Sequence, residues 1–420
     1  MEKLVICGGN KLSGEIDVQG AKNSALPILA ATVLIKGESV IHNCPELSDI
    51  DAAIKILLHL GCKVKKENKT LTVDSREISC YNIPDTLMRE MRSSIVFLGS
   101  VLGRTGKAVM SSPGGCDIGL RPIDLHLSSL RTLGVKIEEC HGSLICTREK
   151  QPDGGVVSLS FPSVGATENI ILACALSKGR TVILNAAREP EIKDLADFLN
   201  ACGCKIEIGS HGTIIIDGCE NLHGCQHSVI SDRIASLTFM SAVAASGGDV
   251  LLNKTDASLF MSVIPIFQQM GCDITMSESS VRIKSLRRPE AVSDIRTMPY
   301  PGFPTDAQAP LTAVLSKAKG TSVVVENIFE NRFKHMPELQ RMGAKIKTEG
   351  KVAIIDGTDK LYGARVICPD LRGGAALVVA GLCAAGITEV EQIYHIDRGY
   401  ENIERSFSFL GADIKRLNYS

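Results

Sequence analysis

The chain has 420 residues, 44% hydrophobic and 22% charged, with 46 Lys and Arg against 47 Asp and Glu. That length allows two to four domains, and the charge balance gives no electrostatic case for nucleic acid or an anionic membrane as partner. The opening "MEKLVICGGN" has no apolar core for a signal peptide and no run reaches the ~18 apolar residues of a membrane span, so the sequence reads as that of a cytoplasmic protein.

In chain order, the predicted elements repeat. The stretch "ALPILAATVLI" at 25–35 is apolar on nearly every side and predicts a buried helix. Gly37 then reads as a C-cap leading into a strand, an amphipathic helix follows, and "LGCKV" at Leu60 opens two further strands. The same order returns with "SSIVFLGSVL" at 93–102, Gly106 and "LGVKI", and with Gly179 and "CGCKI". It returns again with Gly247 and "MGCDI", Gly320 and "MGAKI", and lastly "AALVVAGLCAA" at 375–385, Gly386 and "LGADI". The closing glycines, Gly61, Gly134, Gly203, Gly271, Gly343 and Gly411, recur roughly every 70 residues, the mark of a repeat architecture. Six βαβαββ-like units with buried helices predict an α/β fold with helices inside and sheets outside, split into two domains of three units.

Unit two departs from this regularity. Its Gly106–Gly134 interval is about four residues longer than its counterpart Gly37–Gly61, and the excess falls at "SSPGGCDIGLRP". An insertion on a rigid repeat is a place for function. It sets Cys116 between glycines, with Arg121 five residues on, where nearby cations could acidify the thiol. Such a thiol could act as proton donor or nucleophile once the loop closes over an anion. The alternative is a free surface thiol. The remaining cysteines, of fifteen in all, lie mostly in apolar runs and read as small buried hydrophobes. Cys202 and Cys204 in "ACGCKI" read likewise, since no second Cys or His pair sits nearby to complete a metal site.

Polar residues mark the start of each buried helix. They are Lys22, Asn23 and Ser24; Arg89 and Arg92; Ser163, Thr167, Glu168 and Asn169; Asp232 and Arg233; Asp306 and Gln308; Asp370 and Arg372. Any one of these reads as a cap or a surface salt bridge. Together, at helix ends whose free N–H groups favour anions, they read as a site for a polyanionic ligand. "AAREPEI", with Arg188, Glu189 and Glu191, and "YHIDRGYE", with His395, Asp397, Arg398 and Glu401, are either solvated turns or parts of that site.

The phrases "GAKNSALP", "PGGCDIGLRPIDLH", "SVGAT", "NAAREPEI", "GFPTDAQA" and "HIDRGYE" occur in the order that marks one family. Over its whole length the chain resembles the enolpyruvyl transferases, and among them the UDP-N-acetylglucosamine 1-carboxyvinyltransferases. The resemblance implies a two-domain inside-out α/β barrel, with residues 22–229 as one domain. Residues 1–21 plus 230–420 would form the other, and the active site would lie in the cleft between them. It implies transfer of the enolpyruvyl group of phosphoenolpyruvate to the 3′-hydroxyl of UDP-N-acetylglucosamine through a tetrahedral ketal. Phosphate is released, and the reaction opens peptidoglycan synthesis.

By that resemblance Cys116 protonates C3 of phosphoenolpyruvate and can hold it as a thioketal, which makes it the target of fosfomycin, and Asp306 is the base for the sugar hydroxyl. Lys22 and Arg398 join them as catalytic residues, and Lys22, Asn23, Arg121, Arg372 and Arg398 bind phosphoenolpyruvate, with Asp370 nearby. Arg92, Arg121, Pro122, Ile123, Asp124, Leu125, Ser163, Val164, Gly165, Asp306 and Ile328 bind the UDP-sugar. Some members carry a lysine shortly before "SVG"; here Phe161 and Pro162 stand there, leaving only backbone N–H groups for the diphosphate. No metal or cofactor is expected, the partners are the two small substrates, and a monomer is expected. Two other readings are a 5-enolpyruvylshikimate-3-phosphate synthase, which lacks the cysteine loop, and a non-catalytic UDP-sugar-binding regulator.

Overall fold

The computed structural model describes residues 2–111, 123–150 and 153–418, without the side chain of Arg92. The chain divides into two compact units, which among the described residues are 20–230 and 2–19 with 231–418.

Each unit carries three four-stranded sheets. The second repeat shows the plan. Asn82–Ile83 runs parallel to Lys107–Ser111 across a helical crossover, and Ser143–Thr147 and Lys136–Cys140 then add antiparallel strands. A parallel neighbour requires a long crossover, whereas an antiparallel one needs only a turn; this is the βαβαββ order expected. Strands such as Lys107–Ser111 alternate buried and half-buried residues, so each sheet turns one face to the core. Three repeats complete their sheets with strands remote in sequence. Leu12–Asp17 pairs with Gly248–Asn253, Gln226–Ser228 with Glu38–His42, and Glu2–Cys7 lies between Ile387–Glu391 and Asp413–Asn418.

The crossover helices form the interior. In the 231–418 unit, Arg233–Ser246, Thr305–Leu315 and Leu371–Cys383 pack on one another and are buried along almost their whole length. In the 20–230 unit, Phe97–Thr105 packs against both Lys22–Thr32 and Val164–Cys174. Helices apolar all round have no solvent face to spare, which is why they lie inside and the sheets outside, an inside-out α/β barrel.

The glycines of the repeat phrase all have positive φ, between 81° and 102°, a conformation costly for any residue with a Cβ. The second glycine set is less uniform than expected. Gly106, Gly247, Gly320 and Gly386 have positive φ, but Gly37 and Gly179 do not. Gly179 is required for another reason: a Cβ there would lie 1.8 Å from the Asp153 carbonyl oxygen.

The helix expected over 93–102 begins instead as a 3₁₀ segment, Arg92–Val96, and becomes α-helical at Phe97–Thr105. A side chain from the next repeat explains the junction. The buried Asn169 accepts from Gly99 N–H at 2.6 Å and donates to Ile95 C=O at 3.1 Å. These are the two groups that would bond each other in a continuous α-helix.

Candidate functional site

The polar residues at the helix starts separate into two kinds. In the 231–418 unit, Asp306 lies in the first turn of Thr305–Leu315, whose N-cap is Pro304. It is not a cap, the alternative the sequence left open. Its Oδ1 accepts from Arg332 Nη2 at 2.6 Å, and its Oδ2 accepts from Arg372 Nη2 at 3.2 Å and Nε at 3.3 Å. Both arginines are buried, while Asp306 keeps a quarter of its side chain exposed. Burial opposes the charge on Arg372, but Tyr400, Asp306 and Asp232 around it hold the guanidinium protonated above its ordinary range.

Asp370, by contrast, is the N-cap of Leu371–Cys383. Its Oδ1 accepts from the N–H groups of Arg372 and Gly373, both at 3.0 Å, an arrangement that satisfies two free donors of the first turn. Its Oδ2 is buried without a hydrogen-bond partner among the described residues, as are Arg372 Nη1, Arg332 Nε and both ring nitrogens of His335. Burial pushes His335 down to about 4, with Asp370 opposing and Arg332 assisting, so its ring is neutral at neutral pH. Buried polar atoms left unpaired are costly; five at one end of the helix layer make it a polar cradle. Ile328 N–H donates to Glu326 Oε1 at 2.8 Å. Asp232 caps Arg233–Ser246 through Ile234 and Ala235 N–H. Arg233 lies over the Tyr300 ring, and Gln308 donates to Thr312. Arg398 ends the 3₁₀ segment Ile393–Arg398, half-buried.

In the 20–230 unit, Lys22 opens Lys22–Thr32 and donates from Nζ to the buried Asp49 Oδ2 at 3.1 Å. Asn23 is half-buried, and Ser24 donates to the buried Asp194. Ser163 caps Val164–Cys174 through Ala166 N–H, Val164 and Gly165 form the first turn, and Thr167 accepts from Ala187 N–H. Because Gly99 fixes which way the Asn169 amide points, its Nδ2 donates to His126 Nδ1 at 2.7 Å. The His126 proton therefore sits on Nε2, and burial holds the ring neutral with a pKa of about 4. A Cβ on Gly165 would lie 2.9 Å from that ring. Glu168 is pushed well above its ordinary value by burial, with Glu191 and Glu189 adding to the effect, a shift that favours the protonated carboxylic acid. Ile123, Asp124 and Leu125 begin Asp124–Thr132.

Thr167, Glu168 and Asn169 are buried, with Thr167 and Asn169 hydrogen-bonded within the fold, and Arg89 is an exposed partner of Asp85. Cys116, Arg121 and Pro122 lie outside the described residues, as does the Arg92 side chain. Sequence reasoning missed Arg332, His335 and Asp49. A signal for the first two existed: "ENRFKH" occupies in unit five the place that "AAREPEI" holds in unit three and "YHIDRGYE" in unit six. Among the described residues, no three His, Cys, Asp or Glu side chains could hold a metal ion, and no helix is long and apolar enough to cross a membrane.

The fold is shared with solved structures. The enolpyruvyl transferase NikO from Streptomyces tendae superposes with a TM-score of 0.91 at 24% identity, covering 100% of this chain and 99% of that one. An EPSP synthase from Acinetobacter baumannii gives 0.77 at 20%, covering both chains in full. The family profile described as EPSP synthase (3-phosphoshikimate 1-carboxyvinyltransferase) matches residues 6–407. UDP-N-acetylglucosamine 1-carboxyvinyltransferase 2 of Caldanaerobacter subterraneus subsp. tengcongensis is 51% identical over 99% of this chain and 100% of its own. The UDP-N-acetylglucosamine 1-carboxyvinyltransferase of Acinetobacter baylyi is 45% identical over the full length of both. The chain belongs to the enolpyruvyl transferase family, and the two relatives named above are UDP-N-acetylglucosamine 1-carboxyvinyltransferases.

Proposed function

We infer that this protein transfers the enolpyruvyl group of phosphoenolpyruvate to the 3′-hydroxyl of UDP-N-acetylglucosamine and releases phosphate, in the cytoplasm and as a monomer. This reaction is the opening step of peptidoglycan synthesis. The observation that carries the reading is Asp306: a part-exposed carboxylate at a helix start, not used as a cap, held between two buried guanidinium groups.

The reaction needs an acid for C3 of phosphoenolpyruvate, a base for the sugar hydroxyl and a cationic clamp for the charge that develops. We assign the base to Asp306. Its arginine partners orient both oxygens, so it meets the hydroxyl without rotating into place. A hydroxyl becomes far more acidic as its oxygen bonds to carbon, so a weak base suffices. Cys116 is the acid, and collapse of the ketal expels phosphate. Lys22, Asn23, Arg121, Arg372 and Arg398 hold phosphoenolpyruvate, and the free Nη1 of Arg372 is a donor suited to it. Arg92, Arg121 to Leu125, Ser163 to Gly165, Asp306 and Ile328 hold the UDP-sugar. The helix start at Ser163 supplies backbone N–H groups to its diphosphate. These residues come from both units.

Phosphate release tests the reading. It should require phosphoenolpyruvate with UDP-N-acetylglucosamine and be absent with shikimate 3-phosphate. Release with shikimate 3-phosphate alone would reassign the acceptor, and binding of the UDP-sugar without release would make the protein a regulator.

A further inference from the structure

Four cysteines of the 20–230 unit fall within one short stretch, at 202, 204, 219 and 225. Two of them meet. Cys202 follows the Pro190–Ala201 helix as its C-cap, and its Sγ lies 3.3 Å from the Sγ of Cys225, which leads into Gln226–Ser228. A disulfide needs about 2.05 Å between sulfurs, so closure asks for a movement of only roughly 1.3 Å.

The backbone fixes this proximity. His223 N–H donates to the Cys202 carbonyl at 3.0 Å, and Val40 N–H donates to the Cys225 carbonyl at 2.9 Å. Between them, Gly224 passes so near Glu38 that a Cβ would lie 1.7 Å from its carbonyl oxygen. The two sulfurs are therefore brought together by paired backbone segments.

The pair is asymmetric. Cys202 is fully buried, while Cys225 is half-buried beside an exposed His223. The hydrogen bond from Cys202, helped by His227 and His223 and opposed by burial, lowers Cys225 to about 7, and its partner is raised in turn. The more accessible thiol is also the more acidic one, and the thiolate is the nucleophile.

We propose that Cys202 and Cys225 are a redox modification site, closing to a reversible disulfide when a peroxide reaches Cys225. The Cys225 thiolate attacks one peroxide oxygen, breaks the O–O bond and becomes a sulfenic acid, with the other oxygen leaving as water after protonation. The Cys202 sulfur then attacks the Cys225 sulfur, the S–O bond breaks, and a second water leaves. Two thiols lose two electrons in all, and one hydrogen peroxide gains them.

Hydrogen peroxide treatment of the reduced full-length protein tests this, with alkylation and digestion without reductant. Mass spectrometry should find a peptide linking Cys202 to Cys225 that dithiothreitol abolishes. Because the readout is site-resolved, oxidation of Cys116 does not interfere. Cys202→Ala should leave Cys225 as a sulfenic acid that dimedone traps, and Cys225→Ser should leave Cys202 open to alkylation. The proposal is overturned if wild-type Cys202 remains fully alkylatable after peroxide. It is equally overturned if Cys225 passes to sulfinic acid with no linked peptide, or if the linkage joins other cysteines instead.

Discussion

The starts of two buried helices, Thr305–Leu315 and Val164–Cys174, look alike in sequence, each with an acid and an amide in its first turns. The folded protein treats them oppositely. Asp306 is met by Arg332 and Arg372 and keeps an exposed edge, whereas Glu168 is buried near Glu191 and Glu189, which together with burial favour its protonated form. Two cations converge on Asp306 and one side of it stays open, which suits it to the role proposed above. Glu168, which lies beyond the first turn of its helix and lacks them, is buried instead. Asn169 bonds within the fold: its amide replaces a missing helix bond in the neighbouring helix and fixes the tautomer of His126.

Variants on each side of the contrast sharpen it. Arg372→Ala should cost most. It removes a fully buried cation from a paired carboxylate, about 3 kcal/mol of stability by denaturant unfolding, and phosphate release should fall with it. Asn169→Leu should come next, at roughly 2 kcal/mol, because it strands Ile95 C=O, Gly99 N–H and His126 Nδ1; turnover per folded molecule should stay near normal.

Glu168→Gln should reveal a pH term. The folded acid keeps its proton above the unfolded value of about 4.3. Wild-type stability therefore falls as pH rises from there toward the folded pKa, by up to about 1.4 kcal/mol per unit. The amide lacks this slope. The stability difference, measured by unfolding from pH 4.5 to 7.5, should grow in favour of the variant as pH rises. The buried neutral His126 acts the other way, destabilising the fold as pH falls from about 6.5 toward 4, but it is common to both proteins and cancels. Arg89→Ala should do least, within about 0.5 kcal/mol, since its pair with Asp85 is exposed.

The fold was legible because the repeat repeats its constraints: a turn needing positive φ recurs six times, and buried helices write themselves as unbroken apolar runs. What sequence could not separate was the helix starts, because capping, packing and ligand binding all call for the same polar residues there. Asp370 and Ser163 are caps, and Thr167, Glu168 and Asn169 are buried. The resemblance singled out Asp306, but its partner Arg332 lies in the loop after another strand. Only aligning unit five with units three and six would have pointed to it. The Cys202–Cys225 contact was hidden likewise, since a strand returning beside the helix end creates it.

The carboxylate between Arg332 and Arg372 is proposed as the base for the sugar hydroxyl. Asp306→Ala, assayed for turnover, UDP-N-acetylglucosamine binding and thermal unfolding in one preparation, tests it most directly. The variant should stay folded and bind the UDP-sugar only moderately less well, while its kcat falls about 10²-fold or more, the scale of a lost general base. Near-normal kcat with an earlier melt would contradict that role, leaving Asp306 as a structural counterion to its two arginines.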